Sequence, residues 1–164
     1  MTGMSTPVDQ LERLAARVQA VEDILAIHQL LMDYRRCIDA RDFKAYAALF
    51  AADGVWTGSL GTATGPQEIE ALLEREVDVF EDDSSREYHL VANPEITVDG
   101  DVGSAESTFC LITRGPGDSP SVTLVGRYRD TLVRAEDGWK FRRRETLLDI
   151  PYGRDPMQEG RRDR

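Results

Sequence analysis

The sequence predicts an α+β domain in which a strongly bent, mostly antiparallel sheet is covered by three to four helices and encloses one pocket. Three observations carry that expectation. Apolar residues recur every three or four positions through much of the first half, the spacing of helices that bury one face. From Arg86 onward the period shortens to that of strands, separated by brief turns such as Asp99-Gly100. Helices gathered before a strand-rich half imply a layered α+β arrangement, and a bent sheet capped by helices leaves a cavity suited to a small ligand.

The first long segment, about Val8 to Asp39, carries two apolar stripes. Leu11, Leu14, Val18, Val21 and Leu25 form one; Ile24, Ile27, Leu31, Tyr34 and Ile38 form the other. Such a helix is packed on more than one side or carries a break. Asp42 is placed to cap a short helix bearing Phe43, Tyr46, Leu49 and Phe50. Val55-Trp56-Thr57 and Leu60 to Thr64 read as a short hairpin, after which Gly65-Pro66 opens a helix running to about Phe80. Glu81 to Ser85 reads as a charged loop. Glu87 to Ala92 begins the strands, Asn93-Pro94 interrupts, and Ile96 to Val98 leads into the Asp99-Gly100 turn. Strands at about Gly103 to Arg114, Val122 to Arg134 and Trp139 to Ile150 complete a meander. Residues 1–150 thus make a single ligand-pocket domain, and 151–164 are expected to form a flexible tail.

A length of 164 residues fits one domain, and 41% hydrophobic with 30% charged residues is an ordinary globular mix. A net charge of -10 excludes the concentrated positive surface that nucleic acid requires. Neither a membrane-spanning run nor a signal peptide is read, so a cytoplasmic protein is expected. Cys37 and Cys110 lie in apolar stretches and are expected to be reduced thiols. There is no glycine-rich phosphate loop, nucleophile elbow or CxxC, and the two histidines are too isolated to suggest a metal site. No cofactor and no metal are expected, so any chemistry must come from side chains.

His28 reads as a helix-surface or boundary residue. His89 differs, because mid-strand in Glu87-Tyr88-His89-Leu90-Val91 it must face a polar cavity or find a buried partner. Asp39 ends the long helix, where the helix dipole disfavours a carboxylate, so another role is indicated. Tyr34 stands on an apolar stripe, and Arg144 follows Arg142-Arg143, a run whose default is solvation.

The run Ile27-His28-Gln29-Leu30-Leu31-Met32-Asp33-Tyr34, with Asp39-Ala40-Arg41-Asp42-Phe43 and Leu49-Phe50-Ala51-Ala52-Asp53-Gly54-Val55-Trp56, resembles the SnoaL-like branch of the nuclear transport factor 2-like superfamily. Gly65-Pro66, Tyr88-His89 with Asn93, and Gly138-Trp139-Lys140-Phe141 followed by Arg144 extend the resemblance over about residues 18–150. It implies a cone-shaped α+β barrel. That fold hosts dehydratases, dehydrochlorinases, isomerases, cyclases and silent subunits, so activity must be argued from the site.

The pattern is nearest to the cofactor-free lyases. Asp39 and His89 fall where the hexachlorocyclohexane dehydrochlorinase has its Asp-His dyad, and Arg144 matches its pocket arginine. Tyr34 falls at its pocket lysine, where bile-acid dehydratases and scytalone dehydratase carry tyrosine, which tilts the expectation toward dehydration. A further polar residue of those dehydratases falls near Cys110. The implied mechanism has His89 as general base, Asp39 as its orienting partner, Tyr34 as hydrogen-bond donor or acid, and Arg144 stabilising negative charge or anchoring an acidic substrate. Trp56, Phe109, Cys110 and Leu111 would line the substrate site. The substrate is expected to be a small hydrophobic cyclic molecule of steroid, polyketide or terpenoid type. An isomerase or cyclase with the same dyad, or a non-catalytic binder or oxygenase β-like subunit, remain alternatives. Relatives imply a homodimer through the open sheet face, with a trimer as the other possibility.

Overall fold

Thr6 caps the first helix by a reciprocal pair of bonds: its hydroxyl accepts from the Asp9 backbone N–H at 3.2 Å, and its own N–H donates to the Asp9 carboxylate at 2.9 Å. Pro7 occupies the first turn, where a missing N–H costs nothing. The helix, α1, then runs over Pro7–Asp39. The computed structural model describes residues 6–77 and 87–151. The expected charged loop Glu81 to Ser85, Phe80 and nearly all of the tail lie outside the described residues.

The chain reverses at Arg41, which takes φ 57, and Asp42 caps α2 (Phe43–Ala47) by accepting from the Ala45 N–H at 3.0 Å. The hairpin β1 (Phe50–Gly58) and β2 (Gly61–Thr64) leads into α3 (Gly65–Glu76). The meander is β3 (Tyr88–Asp99), β4 (Val102–Arg114), β5 (Pro120–Ala135) and β6 (Gly138–Ile150). Phe50 was expected on the second helix but opens β1, and α3 stops at Glu76 because Val77 turns to an extended conformation. Asn93-Pro94 does not divide β3. The strand passes through with Asn93 at φ 52 and a register shift between Ala92 and Glu95, a bulge an edge strand tolerates at proline.

The six strands form one sheet in the order β2-β1-β6-β5-β4-β3. All neighbours are antiparallel except β1 and β6, which run parallel. The expected cone is curled but not closed, since β2 and β3 remain as edges. Bulges in the β1–β6, β3–β4, β4–β5 and β5–β6 pairings bend it. Glycine is required where backbones meet at such a bulge: a Cβ on Gly54 would lie 2.7 Å from the Phe141 carbonyl oxygen. Among the described residues there are three α-helices, and no helix is long and apolar enough to cross a membrane.

The concave face holds Phe141, Leu132, Tyr128 and Phe109 against Ile27, Leu31 and Tyr34 of α1 and Ile69 and Leu73 of α3, all buried. Of the two stripes on α1, the second fills this core from Ile27 onward, while the first is left exposed. Asp23 pins α1 onto the β5–β6 hairpin. Its carboxylate receives both Arg134 Nη atoms at 2.8 Å and Trp139 Nε1 at 3.1 Å. Arg134 also lies over the Trp139 ring at 4.6 Å.

The Arg134 hydrogen bonds, ahead of the opposing effect of burial, hold the Asp23 carboxyl down to about 2 from its ordinary 3.8. The folded pKa is depressed, so this contribution is complete above about pH 4 and is lost as pH falls toward 2. Asp23→Asn is therefore expected to lower the thermal midpoint at neutral pH, with the gap to wild type narrowing below pH 4. A gap that stays constant across a pH series of melting curves would contradict this.

Candidate active site

Three helices over the concave sheet face border a partly open cavity of about 370 Å³, within the range of small-ligand sites. Its walls include Tyr34 and Ile38 of α1, Trp56 of β1, His89 of β3, Phe109 and Leu111 of β4, Tyr128 of β5, and Thr146 and Leu148 of β6.

Asp39 and His89 meet at one side of it. As an edge strand, β3 has backbone N–H groups that no further strand can take, and Asp39 Oδ1 accepts that of His89 at 3.1 Å. The same oxygen lies 2.8 Å from His89 Nδ1. Its other oxygen accepts from Arg35 Nη1 at 3.0 Å, one helical turn back. These donors offset the unfavourable position of a carboxylate at a helix C-terminus. The side chains of His89 and Asp39 are only 16% and 12% exposed. A carboxylate oxygen in this place accepts, which assigns Nδ1 as the donor of the contact and leaves Nε2 as the ring nitrogen available to an occupant.

Tyr34 lines the same cavity as His89. Its hydroxyl accepts from the Tyr46 hydroxyl and from Trp56 Nε1 at 3.2 Å. With both bonds incoming, Tyr34's own hydrogen is free to donate to an occupant of the cavity. Burial pushes the Tyr46 phenol well above its usual range, as it does Tyr128, so both stay protonated donors.

Arg144 is placed differently from expectation. Its guanidinium is wholly buried, donating to both oxygens of Asp130 at 2.7 and 2.8 Å. The Tyr34, Tyr128 and Phe141 rings lie over it at 3.8, 4.2 and 4.3 Å. These rings stand between Arg144 and the cavity, so it does not line the wall or anchor an acidic substrate directly. Burial opposes its charge, but Asp130 and the tyrosines outweigh this and hold it protonated. A cation on the Tyr34 face draws electron density from that ring and strengthens the phenol as a donor. Cys110 also departs from expectation. It lies between Phe109 and Leu111 on β4, so strand alternation turns it to the opposite face, beside Leu90 and Val125.

Sequence reading passed over Tyr46, Tyr128 and Thr146. Tyr46 looked like core on a short helix. Tyr128 lies mid-strand, its ring stacked 4.5 Å from Phe109. The Thr146 hydroxyl, next to Tyr128 in register, is buried with no partner among the described residues. Nothing local in the sequence marks these positions, since inward facing depends on bulge placement. Among the described residues no three His, Cys, Asp or Glu side chains group to hold a metal.

A bent sheet with helices over a pocket, with His89 on its wall and Asp39 behind the imidazole, defines a ligand-pocket protein of the nuclear transport factor 2-like kind. The chain belongs to the SnoaL-like family, whose sequence profile matches residues 19–145. An uncharacterized protein of Mycobacterium tuberculosis strain H37Rv is 31% identical over 137 residues, covering 82% of this chain and 90% of that one. A nuclear transport factor 2-like protein with a cystatin-like fold from Novosphingobium aromaticivorans superposes with a TM-score of 0.74 at 26% identity, over 90% of this chain and 93% of that one. A scytalone dehydratase-like protein from the same organism does so with a TM-score of 0.66 at 26% identity, over 79% and 86% of the two chains.

Removing one member of the Arg144–Asp130 pair strands a buried charge. Arg144→Leu is expected to destabilise the fold by about 3–5 kcal/mol, while Arg144→Leu with Asp130→Leu recovers much of that loss. Urea unfolding of the two variants checks this, and equal instability of both would contradict it.

Proposed function

We propose that the protein is a cofactor-independent lyase of the dehydratase type, acting on a small hydrophobic cyclic substrate. The observation that carries this reading is the Asp39–His89 contact at 2.8 Å, with the imidazole on the wall of a cavity that mixes apolar side chains with Arg41, Glu76 and Glu87. An oriented imidazole with one free nitrogen is suited to take a proton from carbon beside a carbonyl. In this mechanism His89 Nε2 accepts that proton while Asp39 stabilises the imidazolium. Tyr34 donates to the carbonyl oxygen as negative charge collects there. The enolate then expels the β-hydroxyl, which takes the proton from His89 and leaves as water. The C–H and C–O bonds break, the C=C bond forms and the imidazole returns to its starting state. Arg144 contributes through the Tyr34 ring and not by contact with substrate. Trp56, Phe109 and Leu111 hold the apolar body, in keeping with a steroid, polyketide or terpenoid-like skeleton. Action as a homodimer in the cytoplasm completes the reading.

The test is a panel of cyclic β-hydroxy ketones followed by ultraviolet absorbance of the conjugated product. With a turned-over substrate, His89→Ala is expected to lose about 10²–10⁴-fold in kcat with the fold intact by circular dichroism. Wild-type rates in that variant would remove His89 from the mechanism. Tyr34→Phe is expected to lower kcat by about 10²-fold with a smaller change in KM, because its bond strengthens as charge develops. Exchange of the α-proton in deuterium oxide without loss of water would move the reading to an isomerase.

A further inference from the structure

We infer that the N-terminal half of α1 is a self-association surface through which two copies of the chain pair in parallel. From Ile27 onward α1 is anchored in the core, but before it only Asp23 is buried. The segment 7–22 therefore extends for roughly 20 Å beyond its own packing, at about 1.5 Å per residue. It is not a polar helix. Leu11, Leu14, Val18, Val21 and Leu25 are 66, 54, 48, 57 and 63% exposed, and Val8 and Ile24 beside them are exposed too. The spacings of three, four, three and four residues trace the seam of a two-stranded coiled coil, with Leu11, Val18 and Leu25 at the first heptad position and Leu14 and Val21 at the fourth.

Helical geometry puts this seam nearly opposite the face of Ile27, Leu31, Tyr34 and Ile38 that meets the sheet. Among the described residues none covers it, and a second helix can approach without meeting the described sheet and helices. An amphipathic helix of this length is marginal in water unless its apolar face is covered.

Charge selects the occupant and its direction. Arg17 and Glu22 flank the seam on opposite sides, five residues apart, and neither has an ion-pair partner among the described residues. In a parallel, in-register pair that spacing brings Arg17 of each helix to Glu22 of the other, once on each side. Antiparallel pairings instead set Arg17 opposite Ile24 or a second Arg17, and Glu22 opposite Ala15 or Val8. The seam and its flanks thus complement a second copy of themselves in one orientation.

The full chain tests this in sedimentation equilibrium and by disulfide trapping. In a Cys110→Ser background, Val21→Cys is expected to form a disulfide-linked dimer under mild oxidation, since this seam position faces its own copy in a parallel pair. Arg17→Glu is expected to weaken association by about tenfold, and Arg17→Glu with Glu22→Arg to restore it. Circular dichroism confirms that each variant remains folded. The inference is overturned if wild type sediments as a monomer, or if the charge swap fails to restore association. It is equally overturned if Val21→Cys does not cross-link while another face sustains the oligomer.

Discussion

The carboxylate of Asp39 joins two elements that would otherwise part. It ends the helix that covers the cavity, and it grips the backbone and the ring of His89 on a strand with no outer neighbour. One oxygen serving two donors fixes the strand edge, the imidazole tautomer and the cavity wall together. The end of α1 can be held so because Asp23 clamps the same helix to the far hairpin. A side chain that looks misplaced against the helix dipole is therefore matched by tertiary donors.

Behind the dyad the site is built in layers. Arg144 and Asp130 neutralise each other in the core, the Tyr34 and Tyr128 rings cover the cation, and the phenol edges meet the cavity. A buried ion pair is weak evidence for stability, because desolvation offsets most of the attraction. Here the pair sets a cation against the face of a phenol ring that lines the cavity. Charge set one layer back acts through a ring and does not attract water into the pocket.

α1 shows how one sequence signal divides into two physical outcomes. Both stripes were legible as helical periodicity, and the long helix was expected within a residue of where it begins and ends. Periodicity alone does not say which stripe meets the sheet. That followed from where β3 and β6 place their inward rows, and it left the Leu11-to-Leu25 stripe facing outward.

The sequence by itself determined the order of helices and strands, the Asp99-Gly100 turn, and the residues of Asp39 and His89 as a pair worth joining. Those rest on local period, turn chemistry and a pattern of residues shared with a family. Tertiary structure alone decided that β1 and β6 run parallel, that Arg144 lies behind the wall, and that Tyr128 and Thr146 face in. The physical reason is the bulges. Each adds a residue to one strand, so the side-chain alternation downstream depends on long-range pairing that no short stretch of chain encodes.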